Sequence, residues 1–70
     1  MISYLPFRLL LVRKGMTRED LIREGLFSHA TSAKLGKDRY VSLEVVDRIC
    51  GRFGVQIREI VEWKPGNEKH

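Results

Sequence analysis

Residues 34–39 carry three basic side chains, Lys34, Lys37 and Arg39, against a single acid, Asp38. Cations at this spacing do no covalent chemistry; they attract and hold anions. Groups suited to bond-making are sparse. His29 and His70 have no Cys or carboxylate at metal-ligand spacing. Cys50 is the only cysteine, so no internal disulfide can form. Its place in an apolar pattern suits packing in a reducing compartment rather than nucleophilic attack. There is no glycine-rich phosphate loop, and the carboxylates are scattered over helix surfaces. Neither an enzyme, a metal, a cofactor nor a small-molecule ligand is expected.

The stretch that must position those cations is 16–35. Thr17 is a good N-cap, with Glu19 and Asp20 in the first turn, where carboxylates suit the exposed N–H groups. Leu21 and Ile22 supply an apolar stripe, and Gly25 is a natural stop. Ser28 then caps a second helix running through Leu35. Two short helices joined by a tight turn are the helix-turn-helix plan, whose second helix can enter the DNA major groove. An ordinary helix hairpin in a small bundle would show the same pattern.

Seventy residues make one domain, and 43% hydrophobic residues suffice for one core. The formal net charge is +4, from thirteen Lys and Arg against nine Asp and Glu. A small basic domain favours an anionic partner, most often nucleic acid. The longest apolar run, 9–12, is too short to span a membrane and no signal peptide precedes it, so a cytoplasmic protein is expected.

The remaining elements are read from spacing. Residues 2–4 alternate as a brief strand. Pro6 opens a first helix that places Phe7, Leu10, Leu11 and Lys14 on one face, sends Arg8 and Arg13 toward solvent and ends at Gly15. After Leu35 comes a polar loop, Gly-Lys-Asp-Arg-Tyr. Ser42 caps a fourth helix with Leu43, Val46, Ile49, Cys50 and Phe53 along its apolar stripe, Arg48 and Arg52 in water, and Gly54 as its left-handed cap. A short fifth helix over 58–61 packs Ile57 and Ile60, and Trp63 covers an edge. Residues 61–63 could pair with 2–4 as short strands. The expected fold is an all-α, compact five-helix bundle over 1–63 with short terminal strands, followed by a polar tail, 64–70.

These residues together resemble the Cro/repressor-type (Xre-like) helix-turn-helix domains. The similarity rests on Gly15-Met16-Thr17, Leu21, the 31–35 segment, the block 41–50 and the segment 54–62, in order and at matching spacing. It covers roughly 5–63. Three positions depart from the family pattern: Ile22 where a small residue is usual, Ser32 where a β-branched apolar residue is usual, and Leu26 at the turn position where glycine is usual. Either the turn shifts by one residue to use Gly25, or Leu26 takes a positive φ.

The resemblance implies a lambda-repressor-like bundle, DNA binding, transcriptional regulation and commonly a homodimer. By position it implies a base-facing side of the third helix made of Ser28, His29, Ala30, Ala33 and Lys34. It also implies phosphate contacts from Thr17 and Arg18 at the start of the second helix and from Lys37, Arg39 and Tyr40 after the third. Of the base-facing set only Lys34 is a strong reader of base edges. The first expectation is a minimal DNA-binding regulator on duplex DNA. The alternative is a protein-interaction module on the same fold, an antitoxin-like or anti-regulator subunit. For a dimer, Tyr4, Val61 and Trp63 are the expected uncovered apolar groups.

Overall fold

A computed structural model describes residues 1–66. The element order is β1 (Ile2–Ser3), α1 (Leu5–Lys14), α2 (Arg18–Arg23), α3 (His29–Gly36), α4 (Leu43–Phe53), a 3-10 turn (Ile57–Glu59) and β2 (Glu62–Trp63). Where a fifth helix is expected over 58–61, the chain makes only that 3-10 turn, capped by Gln56 and Glu59. The strands do pair, antiparallel and within one chain, Ile2 with Trp63 and Ser3 with Glu62. The Lys64 N–H adds a further bond to the Met1 carbonyl at 2.8 Å. The expected tail therefore begins in this pairing at Lys64, and its residues 67–70, His70 among them, lie outside the described residues.

Each α-helix ends the same way. The N–H groups of Met16, Leu26, Arg39 and Val55 reach back five residues to the carbonyls of Leu11, Leu21, Lys34 and Cys50. This is the Schellman closure, which needs a left-handed residue just before the donor. Gly15, Gly25 and Gly54 supply it at φ of 67°, 80° and 65°. Asp38, at φ 57°, supplies it after α3 and is the non-glycine case among the described residues. Of the two alternatives for the α2–α3 turn, the chain takes the shifted one: Gly25 bears the positive φ and Leu26 does not.

The core gathers Tyr4, Phe7, Leu10, Leu11, Leu21, Phe27, Leu35, Val46, Ile49 and Ile60. Phe7 and Phe27 meet edge to face with centroids 6.4 Å apart, joining α1 to the turn before α3. Cys50 and Phe53 are half-buried against this core. Burial, then the charges of Asp47 and Glu59, push the Cys50 thiol up, so it stays protonated at neutral pH. Two residues expected in the core are outside it: Leu43 is 77% exposed at the first turn of α4, and Ile57 is 50% exposed on the 3-10 turn. Leu43 stands at the edge of the arc that Val46 and Ile49 bury, and both exposed residues line an open groove with Val41 and Val61. Trp63 is 69% exposed, whereas Tyr4 is buried and belongs to the core. No described helix is long and apolar enough to cross a membrane.

Candidate nucleic-acid interface

Thr17 accepts the Asp20 N–H at 3.2 Å, and Asp20 Oδ2 accepts the Thr17 N–H at 2.8 Å, a reciprocal box that starts α2. The Thr17 N–H holds the Asp20 carboxyl below the usual carboxylate range, with Arg23 assisting. Thr17 is exposed, but its hydroxyl oxygen is engaged in the cap. Ser28 starts α3 likewise, accepting the Thr31 N–H at 3.1 Å. The hydroxyl of this candidate base contact is thus partly committed to the helix start.

Along α3, Leu35 and Ser32 turn inward, and Thr31 is half-buried. His29, Ala30, Ala33, Lys34 and Lys37 are all exposed. Their spacing places them on one face, opposite the buried pair. The two alanines keep that face low, with polar groups at its start and cations toward its end. Ser32 is only 8% exposed, and among the described residues no buried side-chain nitrogen or oxygen lacks a partner.

The C-terminal end of α3 would on its own present partial negative charge from its last carbonyls. Two arginines from other helices offset it. Arg8 of α1, expected in solvent, instead donates through Nη1 to the Leu35 carbonyl and to Asp38 Oδ1, both at 2.9 Å. Asp38 Oδ1 also accepts the Tyr4 N–H at 2.8 Å. The Arg8 guanidinium, then the Tyr4 N–H, hold the Asp38 carboxyl below its ordinary range.

Arg18, at the first position of α2, is half-buried with its guanidinium laid over Gly36. A Cβ on Gly36 would stand 2.8 Å from Arg18 Cζ, so the missing side chain is what seats the guanidinium. Gly36 is accordingly the last residue of α3 and not part of the loop expected after Leu35.

The remaining candidates follow α3. Lys37, Arg39 and Tyr40 are exposed, Tyr40 at 82%. Among the described residues, Arg18, Lys34, Lys37 and Arg39 have no carboxylate within 4.0 Å. Asp38, the one acid in segment 28–42, is neutralised by Arg8. The exposed surface from Arg18 through α3 to Arg39 is therefore positive although the chain as a whole is only modestly so. Arg8 and Gly36 are absent from the sequence reading of the site. The first has a visible signal in its place at the edge of the apolar face of α1. The second has none, because only the packing of α2 against α3 brings Arg18 to it.

No curated protein and no solved structure matches this chain. The family model of the Cro/C1-type HTH DNA-binding domain matches residues 7–66. That span runs from the third residue of α1 through β2 and includes every residue of the surface just described, and the chain belongs to the Cro/C1-type helix-turn-helix DNA-binding family.

Proposed function

We propose that the protein is a transcription regulator that lays α3 in the major groove of an operator and acts by occluding or recruiting other proteins there. The observation that supports this most is the exposed face of α3: His29, Ala30, Ala33 and Lys34, low in relief and closed at its end by cations that have no ion-pair partner among the described residues. Two alanines let the helix backbone approach the groove floor, where their methyls can touch thymine methyls. Lys34 reads guanine edges, while His29 and Ser28 contact a base edge or a phosphate. Thr17, Arg18, Lys37, Arg39 and Tyr40 contact the backbone on the two sides of the groove, which sets register without reading sequence. Residues 1–63 form the binding domain and 64–70 a polar tail. The protein works in the cytoplasm as a homodimer, because one module of this size gives limited area and two half-sites multiply affinity.

The apolar surface beside the α3 loop suits the dimer contact. Ile2, Tyr40, Val41, Leu43, Ile57 and Val61 are among the residues that line an open groove of about 330 Å³ there. A second copy on this surface lies next to the loop that carries Lys37 and Arg39, so both recognition helices face one duplex.

One observation favours a second reading, a protein-interaction module. The α3 face holds a single strong base reader, and a low alanine-bearing face also packs well against another helix. Binding to random duplex across a salt series separates the two. Affinity that falls steeply as salt rises supports the DNA reading. Absent or salt-insensitive binding supports the protein partner. Selection from a random DNA pool then identifies the operator.

A further inference from the structure

The loop that follows α3 is fastened at two residues and free at those between and beside them. Asp38 and Val41 are half-buried, whereas Lys37, Arg39 and Tyr40 are exposed. The Asp38 carboxylate accepts Arg8 Nη1 at 2.9 Å and the Tyr4 N–H at 2.8 Å. Val41 packs against the core, and its N–H faces the Tyr4 hydroxyl. Tyr4 is 2% exposed and stands where β1 gives way to α1. One buried residue thus meets the loop at both fastenings, through its backbone at Asp38 and through its ring at Val41.

Arg8 adds the tie to the recognition helix. Its Nη1 also reaches the Leu35 carbonyl at 2.9 Å, so one guanidinium nitrogen joins the last turn of α3 and the loop to α1. The planar guanidinium aims those N–H groups in fixed directions, which an ammonium on a flexible stem does not. The Arg39 N–H returns to the Lys34 carbonyl at 2.9 Å and fixes the first free residue from the helix side. The same ion pair offsets the one negative charge that stands between Lys37 and Arg39.

We infer that Arg8, together with Tyr4, is a positioning residue for DNA binding: it touches no nucleic acid and holds 38–41 so that Lys37, Arg39 and Tyr40 stand ready for phosphates. The inference rests on the DNA reading proposed above. A free loop has to be ordered as the duplex arrives, and the entropy of that ordering weakens the complex. A loop held in advance has already lost that freedom on folding. Phosphate contacts do not read sequence, so the gain applies to every duplex.

The test removes the ion pair without changing the net charge. The double variant Arg8→Met/Asp38→Asn deletes one cation and one anion. Asn tolerates the positive φ at 38, and its amide oxygen still accepts the Tyr4 N–H, so the turn persists while the hold from α1 is gone. Binding to random and to selected duplex is followed by fluorescence anisotropy across a salt series, at a temperature where circular dichroism shows every chain folded. The double variant should bind both duplexes roughly threefold to tenfold more weakly, with the salt slope of the unchanged chain. In a chain that already carries Lys37→Ala, Arg39→Ala and Tyr40→Ala, the same double change should weaken binding less than about twofold, because nothing is left to position. Arg8→Lys replaces the double variant if that melts early, and should show the same pattern at smaller size. Equal losses in the two backgrounds overturn the inference, since a general loosening of the fold produces them. So does unchanged binding, or a slope lower by about one ion, which makes Arg8 a phosphate contact itself. If the unchanged chain binds no duplex, or binds it without salt dependence, the DNA reading falls and this inference with it. The other contrary outcomes leave that reading standing.

Discussion

Arg8 and Asp38 lie thirty residues apart in sequence and 2.9 Å apart in space, and through them α1 holds the end of α3. Asp38 occupies a left-handed conformation that glycine takes after the other three helices. The conformation persists because its carboxylate is bound from two sides, by the Arg8 guanidinium and the Tyr4 N–H. Replacing Asp38 should therefore separate backbone strain from side-chain bonding. Asp38→Asn keeps an acceptor and tolerates positive φ, so it should cost least. Asp38→Gly loses the bonds but relaxes the backbone, and Asp38→Ala loses both, at roughly 1–2 kcal/mol. Urea denaturation should give the order Asn, Gly, Ala in increasing loss; Ala milder than Gly would contradict it.

Acid should act through the same carboxylate. Asp38, Asp20 and Glu24 are all held below their ordinary values, by Arg8, by the Thr17 N–H and by Arg52 respectively. Their folded values lie below their unfolded ones, so their stabilisation is present above the ordinary carboxylate range of about 3.9–4.3. It is lost as pH falls through the depressed folded values. The urea midpoint should be flat near neutrality and decline below about pH 4. The gap between wild type and Asp38→Asn should close in that same window.

Two glycine substitutions should have opposite signs. An added Cβ meets nothing within 4 Å at either Gly25 or Gly51. Gly25 has φ +80° and closes α2, so Gly25→Ala should destabilise by about 1 kcal/mol or more through backbone strain alone. Gly51 is exposed inside α4, where alanine is the better helix former, so Gly51→Ala should stabilise by up to about 1 kcal/mol. Thermal midpoints of the two variants on either side of wild type are the expected result.

Gly36→Ala isolates the placement of Arg18. The new methyl displaces the guanidinium from α3, yet alanine suits the last helical turn, so the fold should keep its stability. On the proposed DNA reading, affinity should fall several-fold while the salt slope is retained, because the charge is still there but no longer held. Arg18→Ala should lower the slope itself by about one ion. Unchanged affinity for Gly36→Ala would remove Arg18 from the interface.

Lys34 and Lys37 are expected to differ in role. Lys37→Ala should weaken binding about equally on all duplexes and reduce the salt slope by about one. Lys34→Ala should cost roughly 1–3 kcal/mol on the selected operator and less on random DNA. Equal losses on both duplexes for both variants would leave Lys34 as a phosphate contact only. No loss for either would turn the α3 face over to a protein partner.

Much of this chain is decided locally and could be read from the sequence. Thr17, Ser28 and Ser42 cap the helices they precede, because a hydroxyl three residues before a free N–H is a short-range arrangement. Gly15 and Gly54 end theirs for an equally local reason. Apolar spacing located Phe7, Leu10, Leu11, Leu21, Leu35, Val46, Ile49 and Ile60. Local pattern did not decide where element ends meet other elements. Leu43 fits the stripe but stands at its edge, Ile57 is left half-exposed on the 3-10 turn, and 58–61 lacks the length to hold a regular helix. Arg8 reads as a solvent residue until α3 brings carbonyl and carboxylate acceptors to it across the fold. Gly36 reads as loop until α2 lays Arg18 upon it. A hydrogen bond to a residue nearby in the chain leaves a spacing in the sequence. A charge held by the end of a distant helix leaves at most a place at the edge of an apolar face, and tertiary structure alone gave Arg8, Arg18 and Asp38 their partners.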